Sequence, residues 1–370
     1  MQPEIRRPRR SIRPALLRAL APLIATAALG ACGGGDGRTV LTVYSPHGKE
    51  LLEYYEQRFE VANPDVDVQW VDMGSQEVLE RLRAEKVNPQ ADVWFGAPAD
   101  LFERAAAESL LTAYRPTWAD AVAAESHDPS NFWFGTYLTP EVIGYNTELV
   151  SAADAPEDWD DVLDPRWKDK VIIRDPIASG SMRAIFGAQM VRSMRETGSP
   201  QAGYDWLLRL DANTREYTYN PTILYTKLAR GEGLVTLYNM PDIALLEQRR
   251  GMKIGYVIPE SGTPLLVDAI AIVRRPATGD SAAAARAEIA RRYYEFVTTP
   301  QALYVAADSF LRIPARTDLV QDSLPQWIRD ANEQIKPMPL DRALLADSLD
   351  AWMTYWDRHI RNQGGKVEGR

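Results

Sequence analysis

Six short stretches of this chain combine glycine or proline with side chains that can hold a small polar group. They read "YSPHGKE" at 44–50, "DMGSQE" at 72–77, "FGAPAD" at 95–100, "DPIASGSMR" at 175–183, "YNPT" at 219–222 and "YNMPD" at 238–242. Each follows an apolar run and opens a stretch with helical periodicity. Small residues let a ligand approach backbone N–H groups, and a helix N-terminus favours negative charge there. Hydroxyls at Ser45, Ser75, Ser179 and Ser181 and amides at Gln76, Asn220 and Asn239 extend that chemistry. Serine, asparagine and proline are also ordinary helix starters, so one such stretch alone decides nothing. Six of them make a set. We expect ligand contacts from Ser45, His47, Gly74, Ser75 and Gly96 in the first three stretches. From the last three we expect Ser179, Gly180, Ser181, Arg183, Asn220, Tyr238 and Asn239, with Arg183 facing an anion.

Other chemistries lack their residues. The sequence has no His-Glu-x-x-His, no cysteine pair, no calcium loop, no Gly-x-Ser-x-Gly elbow and no Walker A loop. No resident cofactor or metal is expected. The single cysteine, Cys32, rules out disulfides. Of the three histidines, His47 sits in a loop of the set, while His127 and His359 read as surface residues. Among ten tryptophans, Trp94 and Trp133 could stack on a sugar ring; Trp206, Trp352 and Trp356 read as packing.

These loops need a scaffold that brings them together. From residue 39, strand-like runs alternate with helix-like ones. The runs at 39–44, 66–71 and 91–95 alternate with helices at 49–62, 76–86 and 98–109. A second series places strands at 170–173, 233–238 and 253–258 among helices at 182–196, 202–210, 222–230 and 242–250. This is an α/β pattern of mainly parallel sheets. The segments 136–146 and 265–273 read as extended crossings between two lobes. We expect lobe 1 to hold 39–138 plus 268–370 with the C-terminal helices, and lobe 2 to hold 139–267. In open α/β sheets the ligand lies beyond the carboxyl ends of the strands, in a cleft.

The N-terminus says where such a protein works. Six arginines between residues 6 and 18 precede an apolar run, Ala19 to Leu29, too short to span a bilayer. Residues 1–31 read as a signal peptide. Leu29-Gly30-Ala31-Cys32 resembles the bacterial lipobox, which implies acylation of Cys32 and a flexible glycine tether over 32–38. Removing the leader's net +5 takes the formal charge from −9 to −14, which excludes nucleic acid as a partner.

With "VYSPHGKE", "ADVWFGAPADLF", "DWDDVLDPRWKDKV" and "ARGEGLVTLYN", the chain resembles the type 2 periplasmic solute-binding proteins of ABC transporters, nearest the ferric-iron-binding branch. The resemblance implies a hinged two-lobe fold, a monomer, a small-molecule or ion ligand and an ABC permease partner. It also implies a periplasmic or cell-surface location, lipid-anchored to a membrane. Ferric-binding members are expected to carry adjacent tyrosines after "GEGLVTLYN", where this chain reads Tyr238-Asn239-Met240. The ligand expected first is therefore a small oxyanion such as a phosphonate or sugar phosphate, with Fe(III) or an iron–anion complex as the alternative. A secreted hydrolase or lyase using His47, and an adhesin exposing "FWF" at 132–134, are the competing classes.

Overall fold

A computed structural model describes residues 37–276 and 281–363; Cys32 and the leader lie outside the described residues. The first series runs β1 (Thr39–Ser45), α1 (Lys49–Ala62), β2 (Val66–Asp72), α2 (Ser75–Ala84), β3 (Val93–Pro98), α3 (Ala99–Ala107), β4 (Leu111–Thr112) and β5 (Phe134–Asn146). The second runs β6 (Val171–Arg174), α4 (Gly180–Thr197), α5 (Gln201–Asn213), β7 (Thr214–Thr218), α6 (Pro221–Ala229), β8 (Val235–Asn239), α7 (Met240–Arg250) and β9 (Ile254–Val257). The chain closes with β10 (Leu265–Val273), α8 (Ser281–Val297), α9 (Pro300–Phe310), β11 (Ile313–Pro314), α10 (Gln326–Gln334) and α11 (Arg342–His359).

Hydrophobic periodicity explains most of these elements. In α1 the apolar stripe Leu51, Leu52, Tyr55 and Phe59 is buried, and the helix stops at Asn63, ahead of a proline that disfavours helix before it. The continuous apolar run of β6 is buried along its whole length, as a strand covered on both faces requires.

The strands pair in the order β2-β1-β3-β10-β5-β8-β6-β7. Parallel pairs lie at the flanks, where β1 meets β2 and β3, and β6 meets β7 and β8. The middle is antiparallel, because β10 and β5 run between the two series. β5 is thirteen residues long. Its first half pairs with β10 through Phe134–Pro140, and its second half pairs with β8 through Glu141–Tyr145. The segment read as a crossing is thus also a core strand.

Three further expectations change. The last helix was placed with the first series, but Leu349, Trp352, Met353 and Trp356 of α11 share a core with Trp159, Phe186 and Leu207 of the second. Its apolar face fits the outer surface of α4, where Gly187 makes room for Leu345. Trp94 and Trp133 are buried, and Trp94 stacks on Phe102 at 4.0 Å, so neither ring is open to a sugar. Trp133 and Phe134 are core residues, which removes the exposed patch an adhesin would need. Among the described residues, no helix is long and apolar enough to cross a membrane.

Candidate functional site

All six loops deliver residues to one cavity of about 290 Å³. They follow the carboxyl ends of β1, β2, β3, β6, β7 and β8. Of the twelve expected residues, nine line it: His47, Gly74, Ser75, Ser179, Gly180, Ser181, Asn220, Tyr238 and Asn239.

Three helices of the second series start at this cavity. Ser179 caps α4 by accepting from Met182 N at 3.4 Å, Asn220 caps α6 through Ile223 N at 3.2 Å, and Asn239 caps α7 through Asp242 N at 2.9 Å. These residues therefore cap their helices and line the cavity at once. Three N-termini converging on one space make its field positive.

On the other side, Ser45 is fully buried and accepts from His47 N at 3.1 Å. It shapes the turn and does not line the cavity. Gly96 also stands behind the surface, with φ +92°; a Cβ there would lie 2.5 Å from His47 Nε2. Its role is to leave space for the imidazole. That ring stands edge-on to Phe95 at 4.7 Å and Tyr137 at 5.3 Å, and Nε2 has no hydrogen-bond partner among the described residues. Burial, with Arg312 beside it, pushes the His47 pKa well below its ordinary value, so the ring is neutral.

Arg183 departs from expectation. It is buried, outside the cavity, and its Nη2 pairs with Asp350 of α11 at 2.5 Å. Lying a full turn past the Ser179 cap, it follows the helix surface toward α11 and turns from the N-terminal opening.

The cation that does line the cavity is Arg174, the last residue of β6. It is 4% exposed. Nε donates to Thr218 O at 3.2 Å and Nη1 to Tyr238 Oη at 3.3 Å, and no carboxylate pairs with it among the described residues. The sequence signal was there: an arginine ends an otherwise apolar strand just before a predicted ligand loop. Arg312, between α9 and β11, carried no such signal. Its Nη2 donates to Asp242 Oδ1 at 3.0 Å and His47 O at 3.3 Å.

Two carboxylates of the cavity, Asp242 and Asp268, are engaged within the protein, while Asp72 and Glu77, which also line it, are exposed. Asp242 also accepts from Tyr225 at 3.1 Å and from Asn239 at 3.2 Å. Asp268 accepts from Thr139 Oγ1 at 2.6 Å, and burial raises its pKa to about 6. Behind them Glu141 is fully buried on β5, and that burial holds its pKa well above the ordinary range. Tyr238 is likewise pushed up by burial, which works against a phenolate ligand for a metal ion. Among the described residues no group of three or more His, Cys, Asp or Glu is placed to hold a metal.

A family model described as bacterial extracellular solute-binding protein matches residues 88–332. A Sinorhizobium fredii relative, provisionally named an ABC transporter periplasmic-binding protein, is 23% identical over 87% of this chain and 86% of its own. A Salmonella typhimurium protein, provisionally named as 2-aminoethylphosphonate-binding and periplasmic, is 29% identical over 60% of this chain and 65% of its own. Among solved structures, the periplasmic binding protein AfuA from Actinobacillus pleuropneumoniae, with fructose-6-phosphate bound, superposes with a TM-score of 0.71. It is 23% identical and covers 88% of this chain and 99% of its own, a likeness of fold.

Proposed function

This chain belongs to the bacterial extracellular solute-binding proteins, the ligand-capturing components of ABC transporters, and from that premise we propose that its solute carries a phosphorus oxyanion, as a phosphonate or sugar phosphate does. One observation carries the reading. Arg174 is a buried cation with no carboxylate partner among the described residues, at a cavity where three helix N-termini meet. A buried charge without a counter-ion is costly, and an anionic ligand supplies one. The name of the Salmonella relative and the sugar phosphate in the AfuA structure support the same chemistry.

In this reading residues 39–138 with 268–334 form one lobe and 139–267 with α11, which packs on the second series, form the other, with β5 and β10 as the hinge. Ser75 and Gly74 hold the solute from one lobe; Arg174, Ser179, Ser181, Asn220 and Tyr238 hold it from the other. Ligand contacts to both lobes shift the population toward the closed form. The protein works as a monomer, tethered by acylated Cys32, and hands its solute to the permease.

The test is thermal unfolding of the mature protein against phosphonates, sugar phosphates, ferric citrate, dicarboxylates, polyamines and sugars. A ligand at 100 times its Kd adds about 2.7 kcal/mol to stability. A raised midpoint with a phosphonate or sugar phosphate, and none with ferric ion, supports the reading. A shift with ferric citrate alone sinks it.

A further inference from the structure

Pro98 and Gly180 separate the cavity just described from a second one of about 320 Å³. Both residues, with Leu266, line both spaces. The partition is thin: a Cβ on Gly180 would come within 3.0 Å of the Pro98 ring, so a glycine facing a proline is all that divides the two. The second chamber lies among α3, α4, β10 and α11 and is walled mainly by apolar side chains. Four of its leucines, Leu265 and Leu266 on β10 and Leu340 and Leu345 at α11, are only half-buried. Of its arginines, Arg104 and Arg183 both pair with Asp350 and Arg342 donates to Glu125 O; Asp100 and Glu103 are the carboxylates on its wall. The chamber thus offers mainly apolar contact and no unpaired buried cation of the kind that Arg174 provides in the space beside it.

We infer that this chamber is a subsite for the apolar body of the solute whose anionic head lies against Arg174, so that the transported class is an oxyanion carried on an alkyl or aryl group. The inference rests on the oxyanion reading proposed above. A concave apolar wall beside a few convergent polar groups is the usual form of a small-molecule site, with polar groups fixing orientation and apolar area supplying affinity. The shared wall argues for the occupant: Pro98 and Gly180 lie on opposite proposed lobes, and a solute bound as they part can place its head in the first space and its attached group in the second.

The experiment is calorimetric titration of the mature protein with methyl-, propyl-, hexyl- and phenylphosphonate. Affinity is expected to rise by up to about fourfold for each methylene that enters the chamber. Ala346→Trp, at an exposed lining position on α11, fills the space from one wall; Ala107→Phe fills it from α3. Either variant should erase the gain from hexyl and phenyl while leaving methylphosphonate binding unchanged. If methylphosphonate binds and hexylphosphonate binds no more tightly, the subsite is overturned and the head-group reading stands. If a sugar phosphate binds but none of the four phosphonates does, the subsite alone is overturned; if neither class binds, the head-group reading fails and the subsite falls with it.

Discussion

Arg174 and Arg183 stand on either side of one loop, and only one of them reaches the cleft. Arg174→Gln should weaken phosphonate binding by about 10- to 100-fold, since a hydrogen bond between charged groups contributes about 1.5–3 kcal/mol. Arg183→Gln should leave the head-group affinity nearly unchanged and lower the unfolding midpoint, because its partner is Asp350. Titration calorimetry beside thermal scans separates the two effects, and a reversed pattern would move the anion site to α4. His47 makes a second residue-scale prediction. Its folded-state pKa lies below the ordinary 6.5, so below that pH the unfolded chain binds a proton that the folded chain refuses. Stability conferred by the neutral ring is therefore lost as pH falls, by about 1.4 kcal/mol per pH unit below 6.5. Carboxyls held high, such as Asp268, tilt the profile the other way, but they are common to wild type and variant. The gap between wild type and His47→Gln should therefore close or invert between pH 7.5 and 5; a constant gap would mean the ring titrates alike in the folded and unfolded chains. His47, Ser181 and Tyr238 were legible in sequence because they follow predicted strand ends. Arg312 and Asp268 were not, since only the pairing of distant segments brings them to the same space.

α4 shows how an element is held in place by residues far from it in sequence. The loop before it turns on Asp175, fully buried, whose side chain accepts from Ile177 N at 2.8 Å and whose carbonyl accepts from Ala178 and Ser179. The partner of that carboxylate is Arg361, just past α11, which also lies over the rings of Tyr217 and Trp356. Arg361→Ala leaves a buried carboxylate without its cation and should cost about 2–3 kcal/mol. Since the same loop ends in the Ser179 cap, the variant should also weaken phosphonate binding, which an ordinary surface ion pair would not do. Chemical denaturation and calorimetry on one preparation read both effects. Most elements were visible in the pattern, and the helix expected at 49–62 has those bounds in the structure. The strand β7, "TREYT", was not, because a polar edge strand buries too little to leave an apolar rhythm. The place of α11 was also hidden. Its apolar face is plain in sequence, but which core receives it is a choice of packing.

At the scale of the whole protein, three ion pairs among the described residues join the two proposed lobes: Arg312 with Asp242 in the cleft, Arg250 of α7 with Glu50 of α1, and Arg104 of α3 with Asp350 of α11. The latter two pairs lie outside the ligand cavity and tie helices that must separate if the cleft opens. On the hinge reading proposed above they belong to the closed arrangement, and so act on the closing equilibrium rather than on the solute. Exposed pairs contribute only about 0.2–1 kcal/mol each. Apparent affinity nevertheless scales with the fraction of molecules in the competent form, so small terms in that equilibrium pass directly into Kd. A Glu50→Gln, Arg104→Gln double variant should bind phosphonate about three- to tenfold more weakly. It leaves Arg174 and Arg183 in place, and because Arg104 shares Asp350 with Arg183 and lines the second chamber, methylphosphonate is the probe. The ligand-free unfolding midpoint should stay where it is, because the open form lacks these pairs already. Raising salt should narrow the difference between wild type and variant, since both pairs are exposed to screening. A ligand-free midpoint that falls in step with affinity would mean instead that the pairs hold the fold together whether or not the cleft is closed.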